Sequence, residues 1–578
     1  MQLTGEKVCV MRRSLAIIGG GLAGIAAAEA AVQRGFKVDL FEWSRVLGGR
    51  AASIFDPVTG CWIDNGQHIA LGCCNEFVAL NKRLGLNEFF VQKNSMPFFY
   101  IDGKRWKITH SSFLPSSWQL LPSFLRNPLL TLKQRISTAL ALRKLCKINK
   151  ESDYRKKFEP NYNSDFLFKK WLESENIPQQ CIENFWEPLI LSSLCDTIEN
   201  VSFDAVQKVV RDGLLAGRNG LKVHIPNKPL RTIYHDKVSE KLKSMGVNLH
   251  FLSRITALRW ELRSERNSEQ NSDRNKNSPN ENYVNENNNE YISDITDNNT
   301  ADNSNNLSEP NNIVDNVDKH DSSNISDETE IEFNSETNLE SLENINIQDT
   351  DNLTDSDPFL QTDTPDCRVP VITGLEFSDG EVRSFDRYVL AVPAFRAREI
   401  FESSELETFS DSLGLAGFEP GAITSIHLWL NCRLLSSSNL YTALIGGVGQ
   451  FLFCPQGVQS QVGGFYHLVL ISASHRILSE LELTSAGAVS LVDRVIKQLE
   501  STFKVRESLK LFHYRVTTFF DAVFSPHPLV YSNRPSQKTA FKNFAIAGDW
   551  TQTEWPSTLE GAIRSGIIAV DSIDYDSE

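Results

Sequence analysis

A turn that needs three glycines in a fixed order governs the start of this chain. Gly19-Gly20-Gly21-Leu22-Ala23-Gly24 follows the apolar run Leu15-Ala16-Ile17-Ile18 and leads into an alanine-rich stretch. The apolar run predicts a short buried strand, and Leu22 to Arg34 predicts a helix ended by Gly35. Lys37 to Phe41 predicts a second strand, closed by Glu42. This is a βαβ unit, and each residue in it has a task. Gly19 makes the tight turn, Gly21 lets a ligand reach the backbone, and Gly24 with Ala28 lets the helix lie close to the strands. The helix start at Leu22 and Ala23 offers unpaired N–H groups to a phosphate. Glu42 is placed to accept hydrogen bonds from a ribose diol. The pattern points to a bound dinucleotide.

The next block narrows the dinucleotide. Arg45-x-x-Gly48-Gly49-Arg50 comes directly after the acid. Two glycines let a loop lie against a pyrophosphate, and the arginines supply positive charge. The last part of the chain repeats the chemistry. Ala547-Gly548-Asp549-Trp550 follows the apolar run Phe544-Ala545-Ile546, and Pro556-Ser557-Thr558-Leu559-Glu560-Gly561-Ala562 opens a helix expected over about 557–569.

Charge is unevenly distributed. The chain of 578 residues carries a formal charge of −15, yet residues 263–366 alone hold 26 acidic and 5 basic residues, so the remainder is near +6. That stretch is rich in Asn, Asp, Ser and Glu, and it cannot bury enough apolar surface to offset its ordering entropy. It predicts a disordered acidic insertion in a hairpin turn, between Val247–Trp260 and Val371–Phe377. Loop closure costs grow only logarithmically with length, so a surface turn tolerates it. Ten cysteines without a CxxC pair, and no zinc-ligand spacing, predict free thiols and no metal. Met11-Arg12-Arg13 before Leu15–Ile18 imitates a signal peptide, but Gly19 to Gly21 break the apolar run at once. No apolar run reaches the ~18 residues that span a bilayer.

Between the ends, Asn75 to Gly85 predicts a helix and Phe98 to Ile108 a hairpin turning at Asp102-Gly103. Ser111 to Lys150 is apolar and basic, with Pro115, Pro122 and Pro128 as breaks. Phe166 to Ala216 predicts further helices, with Phe185 and Trp186 expected in the core. Gly246 to Trp260 predicts a strand region, as does Tyr388 to Pro393. No internal repeat and no nucleic-acid motif is present.

Glu42, Arg45, Gly48, Gly49 and Arg50, joined with the Gly548-Asp549 segment, resemble the signatures of the flavin amine oxidase and phytoene desaturase superfamily. The resemblance implies FAD as cofactor. It implies that Gly548 and Asp549 lie at the ribityl-phosphate, that Thr558, Leu559 and Glu560 lie near the flavin ring, and that Gln67 and Ile255 also contact the cofactor. Asp64-Asn65-Gly66-Gln67-His68-Ile69-Ala70-Leu71-Gly72-Cys73 resembles a block of the squalene-associated desaturase subgroup, the hydroxysqualene dehydroxylases of bacterial hopanoid synthesis. So do Phe185-Trp186-Glu187-Pro188-Leu189 and Arg534-Pro535. The acidic insertion, Leu452-Phe453-Cys454 and Trp555 depart from that pattern.

The subgroup resemblance implies loss of the hydroxyl from hydroxysqualene, a C30 allylic alcohol, to give squalene, with His68 and Asp64 as candidate proton donors. Its other implications are a C30 isoprenoid alcohol as substrate, contact with squalene-pathway synthases, a membrane surface as partner, and a cytoplasmic protein on the inner face of the cell membrane. The rival readings are a carotenoid desaturase, a flavin amine oxidase, and a non-catalytic flavin-binding scaffold.

The expected fold class is α/β: a Rossmann-like, GR2-type FAD-binding domain, an α+β substrate domain and a helical membrane-facing region. The FAD-binding domain is expected over 14–75, 231–262 with 367–400 as a β-meander, and 521–572. The substrate domain is expected over 76–230 and 401–520, with the insertion at 263–366.

Overall fold

The computed structural model describes residues 13–111, 113–114, 118–148, 165–217, 220, 222–264, 368–436, 439–455, 461–473 and 485–574. The residues before Arg13 and the acidic stretch beyond Ser264 lie outside these described residues, and so do the expectations made for them. The chain divides into Ser264–Arg368 and a single unit built from the rest.

Five parallel strands carry the glycine turn. In spatial order they are Asn248–His250, Lys37–Phe41, Ser14–Ile18, Arg387–Leu390 and Phe544–Ile546. Leu15, Ala16 and Ile17 are fully buried, as expected for a parallel sheet covered on both faces. The register sets Tyr388 beside both Ala16 and Phe544, so one strand links the two ends of the chain.

The helix Leu22–Gln33 covers one face of this sheet. Its alanines are buried on nearly every side because a second helix, Leu559–Asp574, lies against it. Contact between the two is backbone-close: a Cβ on Gly566 would stand 2.1 Å from the Ala23 carbonyl oxygen. Arg34 and Asp571 form an ion pair at the far end of the pair. The first helix ends as its sequence requires. Gly35 takes φ +85° and its N–H donates to Val32, while the Phe36 N–H donates to Ala31.

One expected strand region is divided. Gly246 to Trp260 does not run as one element: Asn248–His250 joins the parallel sheet, Leu252 turns the chain at φ +56°, and Ile255–Ser264 begins another sheet. That second sheet contains Arg368–Phe377 and Val382–Arg383, so the strand runs through Arg263 and Ser264, into the stretch assigned to the insertion. A strand that has lost its alternation to charged residues can still pair when its neighbour supplies the ladder.

A third, larger sheet stands apart in sequence. Its order is Leu511–Phe524, Pro420–Leu430, Phe465–Ala473, Phe451–Phe453, Tyr441–Ile445, Ser95–Tyr100 and Arg105–Thr109, with Gln461–Val462 on the edge of Phe465–Ala473. The last two main strands form the hairpin expected at Asp102-Gly103. Alternation along Pro420–Leu430 sorts its faces. Ile426, Leu428 and Leu430 pack with Leu491, Val495 and Leu499 of the helix Ser485–Phe503. Ser425, His427 and Trp429 point the other way, and the Ser425 hydroxyl donates to the Asn65 carbonyl. Helices from 121 to 214 form a further apolar cluster, in which Phe185 and Trp186 are buried as expected for core residues.

Replacing Gly566 by valine is expected to force the first and last helices apart. Overpacking of this kind costs about 1–3 kcal/mol. Thermal unfolding should show a lower Tm, together with weaker flavin retention.

Candidate active site

The glycine turn is built from close contacts that exclude side chains. A Cβ on Gly24 would lie 1.8 Å from the Gly19 carbonyl oxygen, and one on Gly19, at φ +105°, would lie 2.4 Å from that of Ala391. Gly21 is different: among the described residues, nothing stands within 4 Å of where its Cβ would be. Open space over a glycine, beside an uncapped helix start with no acidic residue in its first turn, is what an anion needs.

Glu42 organises this turn. Its Oε2 accepts from the Gly20 N–H at 2.7 Å and its Oε1 from the Ser44 N–H at 2.9 Å. The carboxylate thus fixes the glycine turn. Gly48 donates its N–H to the Gly20 carbonyl at 2.9 Å, and a Cβ on Gly49 would meet Gly21 Cα at 3.0 Å. The two glycine segments therefore lie against one another. Arg45 is exposed on the connecting loop, and Ile255 is buried beside Phe41, next to the strand end that bears Glu42.

The far end of the chain enters through Asp549. Arg50 Nη2 contacts Asp549 Oδ1 at 2.5 Å, and Arg50 Nη1 donates to the Ala522 carbonyl at 2.7 Å. The Ser557 hydroxyl donates to the other Asp549 oxygen. Gly548 takes φ +153°, a Cβ there would be 2.3 Å from Trp550 Nε1, and its N–H donates to Ser565 at 2.8 Å. Trp550 in turn donates to the Val392 carbonyl at 2.8 Å. Buried Arg534 holds the loop that follows, donating to the Trp555 carbonyl at 2.7 Å and to that of Asp549 at 3.3 Å.

The residues implied for the ring neighbourhood separate. Thr558 opens the last helix, and its hydroxyl receives the Gly561 N–H at 3.4 Å. Leu559 packs into the cluster beneath the two helices. Glu560 binds another part of the chain. It is fully buried and accepts the N–H groups of Glu76 and Phe77 at 3.1 and 2.9 Å, capping the helix Asn75–Arg83, with Arg564 at 2.8 Å neutralising it. Its role is to close a buried helix start, a demand that spacing along the chain does not reveal.

The Asp64–His68 block lies on the hairpin Ser53–Asp56 and Cys61–Asp64 and the turn after it. Asp64 is enclosed by hydrogen-bond donors. Its oxygens accept from Ser53 at 2.7 Å, the Leu230 N–H at 2.8 Å and Gln67 at 3.2 Å. Burial pushes its carboxyl up to about 6 despite those bonds. A carboxylate engaged by three donors positions Gln67 and the 230 turn, and its raised value is that of a carboxyl able to exchange a proton near neutral pH. His68 is half-buried beside Arg50. Desolvation, then the arginine charge, pushes it down to about 4, so the imidazole is neutral at pH 7.

Sequence reading did not single out the histidine stack opposite this block. His427 Nδ1 and His467 Nε2 are 3.0 Å apart, His467 stacks on Trp429 at 4.3 Å, and His513 bonds Asp56 at 3.2 Å. Burial pushes His427 down to about 3. The alternation Ser425-x-His427-x-Trp429 on one strand was the available signal. Beside it lies an apolar wall in which Ile69, Leu71, Met96, Phe451 and Ile471 are only partly covered, next to Phe453 and Val469.

Two glycine segments, an uncapped helix start and an acid-bearing last loop gathered at one place define a dinucleotide-dependent oxidoreductase. The chain belongs to the flavin containing amine oxidoreductase family, whose pattern matches residues 22–209 and 364–574. FAD is its cofactor. The chain is 20% identical to a hydroxysqualene dehydroxylase of Zymomonas mobilis over 96% of its own length and 97% of that protein. It is 28% identical to a zeta-carotene desaturase of Zea mays over 30% of this chain and 31% of that one. An oxidoreductase from Methanosarcina mazei has the same fold, with TM-score 0.59 and 12% identity over 97% of this chain and all of that one.

Two outcomes are expected here. Asp549→Ala removes the partner of Arg50 and Ser557 at a nearly buried site, and a lost charge-assisted bond of 1.5–3 kcal/mol weakens binding about 10- to 100-fold; the flavin-to-protein absorbance ratio after gel filtration reads this. The second concerns acid stability. His68 and His427 sit below their ordinary value, so as pH falls from 6.5 toward 4 the unfolded chain takes up protons the folded one refuses, and stability drops. Asp64, raised toward 6, acts in the opposite direction over the same window. His427→Gln should flatten the acid-side loss in urea unfolding between pH 4 and 6.5, and Asp64→Asn should steepen it.

Proposed function

We propose that this enzyme removes the hydroxyl of hydroxysqualene reductively, giving squalene. The observation that carries the reading is the extent of likeness: the similarity to a hydroxysqualene dehydroxylase runs nearly end to end, whereas that to the plant desaturase covers about a third of either chain. The partly covered apolar wall beside His68 supports a long hydrocarbon substrate.

The balance is simple: one hydride and one proton replace the hydroxyl, which departs as water, with the electrons coming from an external two-electron donor. Reduced FAD, when bound, supplies hydride chemistry. Gly19, Gly21, Leu22, Ala23, Gly24, Gly48 and Gly49 would hold its phosphates, Glu42 its ribose, and Arg50 with Asp549 would close the site across the two chain ends. His68, neutral, orients the hydroxyl by a hydrogen bond, and the proton that leaves with the hydroxyl as water comes from solvent. Asp64 acts through Gln67 and the hairpin. Phe451, Ile471 and their neighbours exclude water from the carbon skeleton.

A carotenoid desaturase is the second reading, favoured by the local likeness to zeta-carotene desaturase. An amine oxidase is less suited: Pro556 and Ser557 stand where such enzymes usually carry Gly-Tyr before the Leu-Glu-Gly-Ala step.

Purified flavin-loaded protein, reduced anaerobically and given hydroxysqualene, is expected to yield squalene by gas chromatography. Phytoene oxidation with no squalene formed would overturn the assignment. His68→Phe should lower turnover about 100-fold while keeping the flavin, the lower end of what a positioned hydrogen-bonding or acid–base group contributes.

A further inference from the structure

We propose that a buried polar niche between the turn at 64–66 and the large sheet, lined by Asn65, His427 and Thr517, takes the hydroxyl of an isoprenoid alcohol and prefers that alcohol to the hydrocarbon left after its loss. This rests on the reading of the substrate as such an alcohol, and it names the residues that recognise its one polar group.

Register sorts one face of the large sheet by polarity. Side chains directly paired across strands share a face. One row across it runs Ala443, Phe451, Ile471, Ser425 and Thr517, and the next runs Phe453, Val469 and His427. Both rows are apolar as far as the strand Phe465–Ala473 and become polar at Pro420–Leu430. The apolar part is the wall already described, with Phe451 and Ile471 only partly covered. A hydrocarbon chain laid on that wall meets its first polar partners at this step.

The 64–66 turn covers the polar part. The Ser425 hydroxyl donates to the Asn65 carbonyl at 2.7 Å, and a Cβ on Gly66 would stand 3.7 Å from Ser425 Oγ. His427 is fully buried and Asn65 is 7% exposed. Three buried polar atoms at this junction have no hydrogen-bond partner among the described residues: Asn65 Oδ1, His427 Nε2 and Thr517 Oγ1. The Asp64 carbonyl is close to His427 without satisfying its Nε2. Leaving such groups unpaired away from water is costly, so they call for a polar ligand.

Their chemistry fits a hydroxyl. Asn65 Nδ2 donates to the Arg50 carbonyl at 2.8 Å, which leaves Oδ1 as an acceptor. Thr517 both donates and accepts. His427 Nδ1 lies 3.0 Å from His467 Nε2, and when His467 donates across that contact, His427 Nε2 carries the proton and points a donor away from it. A hydroxyl donates to Asn65 Oδ1 and accepts from His427 or Thr517, completing all three. A hydrocarbon completes none of them, so the product is held less tightly than the alcohol.

The test titrates oxidised, flavin-loaded, full-length protein with hydroxysqualene and with squalene in detergent, following flavin absorbance; without reduced flavin the alcohol is not converted. Wild type is expected to bind the alcohol about 10- to 100-fold more tightly, the effect of leaving buried polar groups unpaired in the hydrocarbon complex. Thr517→Val and His427→Phe should each cut that preference about tenfold, by weakening the alcohol and not squalene. Equal affinity of wild type for the two ligands overturns the proposal, and so does a Thr517→Val protein that binds both as wild type does. Equal weakening of both ligands in Thr517→Val marks a packing role and overturns it as well. Squalene formed by the reduced enzyme with no alcohol preference in binding overturns the niche alone. An alcohol preference with no squalene formed overturns the dehydroxylation reading alone.

Discussion

The last helix can lie on the first only because position 566 has no side chain: a Cβ would meet the Ala23 carbonyl at 2.1 Å. That contact sets the start of the first helix, with its free N–H groups, against the loop that brings Asp549. From there the site closes through one ion pair, Arg50 to Asp549, between residues almost 500 apart in the chain. A pair whose acid is nearly buried is stable only with its partner present, so the two halves of the cofactor site stand or fall together.

Around this closure, several acidic groups serve architecture. Glu42 fixes the glycine turn through Gly20, Asp64 fixes a hairpin to Leu230, and Glu560 caps a helix from another part of the chain. Each is a buried carboxylate that accepts backbone N–H groups, the arrangement that makes burying a charge tolerable. The consequence for chemistry is that the strongly polar residues nearest the apolar wall are histidines held neutral by burial. Such a wall suits a hydrocarbon substrate that must be kept from water, with a hydrogen-bond donor at one point along it.

The large mixed sheet gives the enzyme its second surface. One side feeds a leucine-rich core, and the other presents Ser425, His427 and Trp429 toward the Asp64 hairpin. Alternation along one strand therefore divides structural from site-facing residues. The helical region beside it buries Trp171, Trp186, Phe168 and Phe203 together.

The cofactor half of the site was legible in the chain alone. Gly19, Gly21, Gly24, Gly48 and Gly49 occupy positions where a side chain would strike backbone or fill the open space over the helix start, and a short-range pattern records such local steric demands. The strand, helix and Gly35 stop were readable for the same reason, since capping and burial periodicity act within a few residues. What only the tertiary structure decided were pairings between distant segments: Glu560 to the helix start at 76, Asp64 to Leu230, His427 to His467, and the division of 246–260 between two sheets. Hydrogen bonds across hundreds of residues leave no fixed spacing in a sequence, because the intervening chain length is free to vary while the contact stays the same.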